Sequence, residues 1–195
     1  MHNLLTNVLE KLDCKKHILL VYDDTARAEK VEFEFIKLGL LNGESCIFLV
    51  DHEKKIKSAK NRMKQDGIDV KFYESKNLLH IYQIPQLDKD PDGILRGFKK
   101  FSEKIFSEST GPYRIVGRII SNISNEFGMS VQIVIEKNTH AVFDELDGSV
   151  LCVYDIREIS ETNRNNVIDK LCKSHHMIID IRDNKETARY LPNII

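Results

Sequence analysis

The sequence predicts an α/β fold, a mostly parallel central sheet covered by helices on both faces. Three observations carry this. Apolar segments of strand length alternate with helix-length segments about five times along the chain. The strands, such as HILLVYD (17–23) and SCIFLVD (45–51), are continuously apolar, as strands covered on both faces must be. The composition is globular, with 42% apolar and 30% charged residues in a chain of 195, which suits a single domain over 1–195. Within it the reading is an N-terminal helix (1–16), a core (17–181) and a C-terminal tail (182–195).

Leu4, Leu5, Val8, Leu9 and Leu12 fall on one face of the first helix, which packs on the domain or serves a dimer partner. Strand 17–23 follows. Residues 25–41 are helical, with Asp24 or Thr25 available as a cap and Asn42-Gly43 as a stop. Strand 45–51 leads into a charged helix over 53–66, ended by Gly67, and DVKFY (69–73) reads as a short strand. LLHIYQI (78–84) is a strand closed by Pro85. After Asp-Pro-Asp-Gly, residues 94–108 place Ile94, Phe98, Phe101 and Ile105 on one helical face, and YRIVGRI (113–119) is a strand. VQIVI (131–135) has strand-like branching. Val131, Ile135, Val142 and Leu146 also fit a helix, and the lack of any turn signal favours helix over 129–146. SVLCVYD (149–155) and HMIIDI (176–181) are strands flanking a helix over 161–174.

In open sheets of this kind ligands gather at the carboxyl ends of the strands. Those ends carry Tyr22, Asp23, Asp51, Arg118, Tyr154 and Asp155. A phosphate-binding loop after the first strand needs glycines, so that backbone N–H groups can approach the anion. The loop here is YDDTARAEK (22–30), without glycine and with Asp23 and Asp24 where phosphate would sit. A nucleotide site is therefore not expected.

Cys172 and His175 stand three apart near a helix end, with no second ligand pair at metal spacing elsewhere, so no metal and no other cofactor is expected. His175-His176 read as a helix terminus. No GxSxG elbow exists, and Cys46 and Cys152 lie in apolar strands where a thiol is usually an inert small hydrophobe. The four cysteines form no CxxC and are expected to be free thiols. The basic run EKKIKSAKNRMK (53–64) lacks aromatic stackers, and with a net charge of −1 it reads as a solvated helix face rather than a nucleic-acid contact. Arg114 and Arg118 flank Gly117; Arg118 could meet an anionic ligand, or pair with Asp23, Asp51 or Asp155. No apolar run reaches the ~18 residues of a membrane span, and no signal peptide is visible, so a cytoplasmic location away from membranes is expected.

HILLVYDD, FIKLGLLNGESCIFLVD, RIVGR, LCVYD and the late His175, in this order and spacing, resemble the MEDS domain. This is the methanogen/methylotroph sensory domain named with the dichloromethane-dehalogenase regulator. The resemblance implies a RecA/KaiC-like core without a phosphate loop. It implies a non-catalytic domain that senses an unknown small molecule in a signal-transduction or transcription-control system. Carried over by position, it makes His17, Tyr22, Cys152, Tyr154 and His175 candidate ligand contacts. In the family pattern an acid follows the glycine of the RIVGR-type strand; Arg118 stands there in this chain. Output would pass through a separate signalling or regulatory protein, with a homodimer as a further option. Two other readings compete. One is a small cytosolic enzyme using His17, Cys152 or His175, which requires those side chains to converge in one pocket. The other is an oligomerising structural subunit with a RecA-like fold.

Overall fold

In the computed structural model, which describes residues 4–12 and 15–192, the first parallel strand lies inside the sheet rather than at its edge. The elements in chain order are α1 (Leu4–Glu10), β1 (His17–Tyr22), α2 (Thr25–Leu41), β2 (Ser45–Val50), α3 (Glu53–Gln65), α4 (Val70–Ser75), β3 (Leu79–Gln83), α5 (Ile94–Glu108), β4 (Tyr113–Gly117), α6 (Glu126–Ala141), β5 (Gly148–Asp155), α7 (Arg164–Cys172), β6 (Met177–Ile181) and β7 (Thr187–Tyr190). Among the described residues seven strands form one sheet in the order β3-β2-β4-β5-β1-β6-β7. All neighbours are parallel except the antiparallel β6–β7 pair. The predicted α/β class and the covered parallel sheet are both present.

Strand alternation sorts two cores onto the two faces. Ile18 and Leu20 of β1, Phe48 and Val50 of β2, and Val116 of β4 meet Phe35, Ile36, Ala59 and Met63 from α2 and α3. Leu5 and Leu9 of α1 join this face, so the N-terminal helix packs on its own domain. On the other face Leu19 and Val21 of β1 and Cys152 and Tyr154 of β5 meet Met129 and Ile133 of α6 and Val167 and Leu171 of α7. A smaller cluster of Ile47, Phe101 and Ile105 seats α5 beside them.

Several boundaries differ from the sequence reading. DVKFY is not a strand: the Asp69 carboxylate accepts the Phe72 N–H at 3.1 Å and starts α4 instead. The tail is not structureless, because β7 adds an antiparallel strand to β6. The turn between them uses Asp183 and Asn184 at φ 52° and 56°, a left-handed pair suited to a tight hairpin. Helix α6 ends at Ala141, and a short 3-10 turn over Phe143–Glu145 completes the stretch read as helix to 146. Strand β4 stops at Gly117, whose φ of 146° and closeness to Leu49 admit no side chain. Asp24 does cap α2, accepting from Ala26 and Arg27 N–H at 2.9 and 3.2 Å.

Candidate functional site

Glu136 lies on α6 at helical spacing from Met129, Gln132 and Ile133, so the apolar face of the helix carries a carboxylate into the core. Beneath it the sheet presents His17 at the amino end of β1 and Cys152 in the middle of β5, while His175 precedes β6. The Glu136 Oε2 stands 3.2 Å from His17 Nε2, 3.4 Å from Cys152 Sγ and 3.6 Å from His175 Nε2. His17 Nε2 is also 3.2 Å from Cys152 Sγ. One donor atom from each of the four residues falls within 4.8 Å of every other. His17, Glu136 and His175 are all less than 5% exposed, and Cys152 is 5% exposed.

The surroundings hold this cluster in place. Glu136 Oε1 accepts from the Tyr154 hydroxyl and, at 2.7 Å, from Gln132 Nε2. Gln132 is fixed in turn, because its Oε1 accepts the Ile120 N–H at 2.7 Å. His175 Nδ1 lies 2.7 Å from the Leu171 carbonyl, which can only accept, so that nitrogen carries the ring proton. The His17 ring stacks between His175, at 3.9 Å centroid to centroid, and Phe143, at 5.2 Å. Its backbone N–H donates to His176 Nδ1 at 3.0 Å.

Burial alone would raise the Glu136 carboxyl. The His17 hydrogen bond, the neighbouring His175 and His17 rings and the Tyr154 hydroxyl overcome it and hold the group down to about 2. Burial, with the stacked His17 ring, lowers His175 to about 3. Burial, reinforced by the Glu136 charge, pushes the Cys152 thiol well above its ordinary range. Tyr154 is raised for the same two reasons.

The cluster borders a cavity of about 610 Å³. Glu136 and Cys152 lie in the cavity wall; His17 and His175 complete the cluster without lining it. Phe98, Phe101 and Ile105 of α5, Ile135 of α6, Phe143 and Val150 make most of the remaining wall apolar. Apolar walls with a few converging polar groups are the usual constitution of a small-molecule site.

Of the residues expected at the site, His17, Cys152, Tyr154 and His175 come together. Tyr22 points to the opposite face of the sheet, among the α2-side residues. Asp23 accepts the Asp183 N–H at 2.9 Å, Asp51 pairs with Lys55 at 2.9 Å, and Asp155 binds the Arg157 guanidinium. These three carboxylates stand at the carboxyl edge but in local structural roles. Arg118 does border the cavity, yet its partners correct the expectation. It donates to the Ile120 and Ser121 carbonyls and to Glu158, each at 2.8 Å, and lies 5.9 Å over the Tyr154 ring. Neither Asp23, Asp51 nor Asp155 is its hydrogen-bond partner, because the guanidinium is turned toward the Ile120–Ser121 carbonyls and the turn following β5. Arg114 reaches the other face and pairs with Glu44 at 2.7 Å.

The Cys172–His175 spacing is not a ligand pair; His175 turns inward to Glu136 while Cys172 is half-buried beside Asp169 and Arg189. Cys46, Cys152 and Cys172 are free thiols, and Cys14 lies outside the described residues. The basic helix α3 is a paired surface: Lys55 meets Asp51, Lys60 meets Glu74, and Arg62 meets Glu29. No helix among the described residues is long and apolar enough to cross a membrane.

The parallel sheet with its interior first strand is a RecA/KaiC-like fold, here with an aspartate helix cap where a phosphate loop would start. Two proteins of the archaeon Pyrococcus horikoshii OT3 share its fold. A KaiC-like protein, PH0186, superimposes with a TM-score of 0.63 over 93% of this chain and 81% of its own, at 12% identity. The protein PH0250 does so with 0.64 over 96% and 92%, at 13% identity. The chain belongs to the MEDS family, described as the methanogen/methylotroph, DcmR sensory domain, which it matches over residues 16–176. No curated protein sequence matches it.

Proposed function

We propose that this MEDS domain is a non-catalytic sensor that binds a small, mainly apolar molecule in the cavity between α5, α6 and the sheet. Occupancy would be passed to a separate regulatory protein, and a second copy of the chain is one candidate for that partner. The observation that carries the reading is the 610 Å³ cavity itself, apolar over most of its wall and ending on Glu136 and Cys152. A ligand at 100-fold excess over its Kd adds ~2.7 kcal/mol to folding stability, which a melting curve resolves. Small apolar probes such as indole and benzene are therefore expected to raise Tm. Thr139→Trp, which fills the cavity from its rim, is expected to abolish that rise. An unchanged Tm across a broad panel of such molecules would count against the reading.

The enzyme reading also gains an observation, since His17, Cys152 and Glu136 converge. Burial, reinforced by the carboxylate beside Cys152, works against it: both disfavour the free thiolate that nucleophilic catalysis needs. Native protein at pH 8 is expected to leave Cys152 unalkylated by iodoacetamide over hours. Modification within seconds would favour the enzyme.

A further inference from the structure

Four donor atoms in the core of this protein lie within 4.8 Å of one another, and four of their six separations are close to those around a common ion. Ligands at about 2.0–2.3 Å from one centre, at tetrahedral angles, are roughly 3.3–3.6 Å from each other. The contacts among His17 Nε2, Glu136 Oε2 and Cys152 Sγ are 3.2, 3.2 and 3.4 Å, and His175 Nε2 adds a fourth donor 3.6 Å from the carboxylate. A hydrogen-bond network explains the first three contacts but not the fourth. His175 commits Nδ1 to the Leu171 carbonyl and turns Nε2 toward a carboxylate oxygen 3.6 Å away, beyond hydrogen-bond distance. That Nε2 has no hydrogen-bond partner among the described residues, and it is fully buried. A buried nitrogen and a carboxylate oxygen that face each other without a hydrogen bond leave a gap that a shared cation would fill.

We propose that His17, Glu136, Cys152 and His175 bind one divalent transition-metal ion of the zinc type. Two imidazoles and a sulfur select a borderline-soft ion over magnesium or calcium. Charge balances as well. On binding, the Cys152 S–H bond breaks, its proton leaves to solvent, and sulfur and metal bond; one thiolate and one carboxylate then neutralise the ion inside the core. The outer contacts fit the same role: Leu171 orients His175, and Tyr154 and Gln132 hold the far oxygen of Glu136. The ion would sit against the inner wall of the cavity, since Glu136 and Cys152 line it. This proposal does not depend on the cavity being a sensor site.

The full chain, stripped of metal by chelation under reducing conditions, is titrated with Co2+ alone and then with Zn2+. One Co2+ per chain is expected, with the visible bands of tetrahedral cobalt and a near-ultraviolet thiolate charge-transfer band, displaced by one Zn2+. Cys152→Ser is expected to lose the charge-transfer band, while Cys172→Ser, outside the cluster, keeps it. Tyr154→Phe, which only positions Glu136, is expected to weaken binding about 10–100-fold without removing either set of bands. Should Cys152→Ser fail to fold, X-ray absorption on the unmodified zinc-loaded protein decides: one sulfur at about 2.3 Å and nitrogen or oxygen at about 2.0–2.2 Å support the site. No cobalt uptake at micromolar concentration, a shell without sulfur, or loss of the band in Cys172→Ser would overturn it. Failure of small apolar molecules to bind would leave these readouts unchanged and bear only on the sensor.

Discussion

Arg118 shows how a single side chain can be legible in type and not in partner. A charged residue ending an apolar strand announces that something must meet it, and three acids at neighbouring strand ends were the candidates. The loop conformation after Gly117 decided for Glu158 and two carbonyls instead. Glu158 is about 40% exposed and can return to water, so Arg118→Ala is expected to cost ~1.5–3 kcal/mol, less than a fully buried pair, and to lower Tm accordingly. Glu136 was missed for a related reason. A Gln and a Glu on the same helical face as Met129 and Ile133 were the available signal, but the face could be assigned only once α6 was known to lie on the sheet. Glu32 is the opposite case, a carboxyl buried in α2. Burial, with Glu29 nearby and Arg62 only partly offsetting, raises it to about 7. The unfolded chain ionises it near the ordinary carboxylate value, so stability is highest below that value and falls as pH rises toward 7. The resulting cost above pH 7 is on the order of 3 kcal/mol. Glu32→Gln is expected to raise Tm at pH 8 and much less at pH 5; equal gains at both pH values would contradict this.

Elements with a continuous apolar run or a strong cap were legible, and those decided by tertiary company were not. Helix α2 matches its predicted span because Asp24, the helical face and Gly43 all agree. The Asp24→Ala chain is expected to lose ~1 kcal/mol in denaturant titration. DVKFY failed because alternation over five residues cannot outweigh a capping aspartate, and β7 was missed because its four residues are mostly exposed and carry no apolar signal. In α6 the entry turn is tighter than the sequence suggests. A Cβ at Gly128 would stand 2.0 Å from the Asn122 carbonyl oxygen. Backbone cannot yield as a side-chain tip does, so Gly128→Ala is expected to unfold the start of α6 and expose Glu136, read as lost amide protection across the helix.

At the scale of the molecule, the fold is shared with KaiC-like proteins while the first loop is not built for phosphate. The first free N–H groups of α2 are occupied by the Asp24 carboxylate, and Asp23 is held by the β6–β7 turn. Mg-ATP at millimolar concentration is expected to leave Tm unchanged, and a shift consistent with a micromolar Kd would overturn that. The interior position of β1 has a further consequence, in the order of events during synthesis. Its two neighbours, β5 and β6, are translated long after it. At typical ribosomal rates, roughly 125 residues separating Tyr22 from Gly148 correspond to about 6–25 s. For that interval the nascent chain holds an apolar strand with no partner on either side, and the pairing that finally seats it is highly non-local. Because His17 heads that strand while Cys152 and His175 arrive with its late neighbours, the buried cluster cannot form until those neighbours have been made.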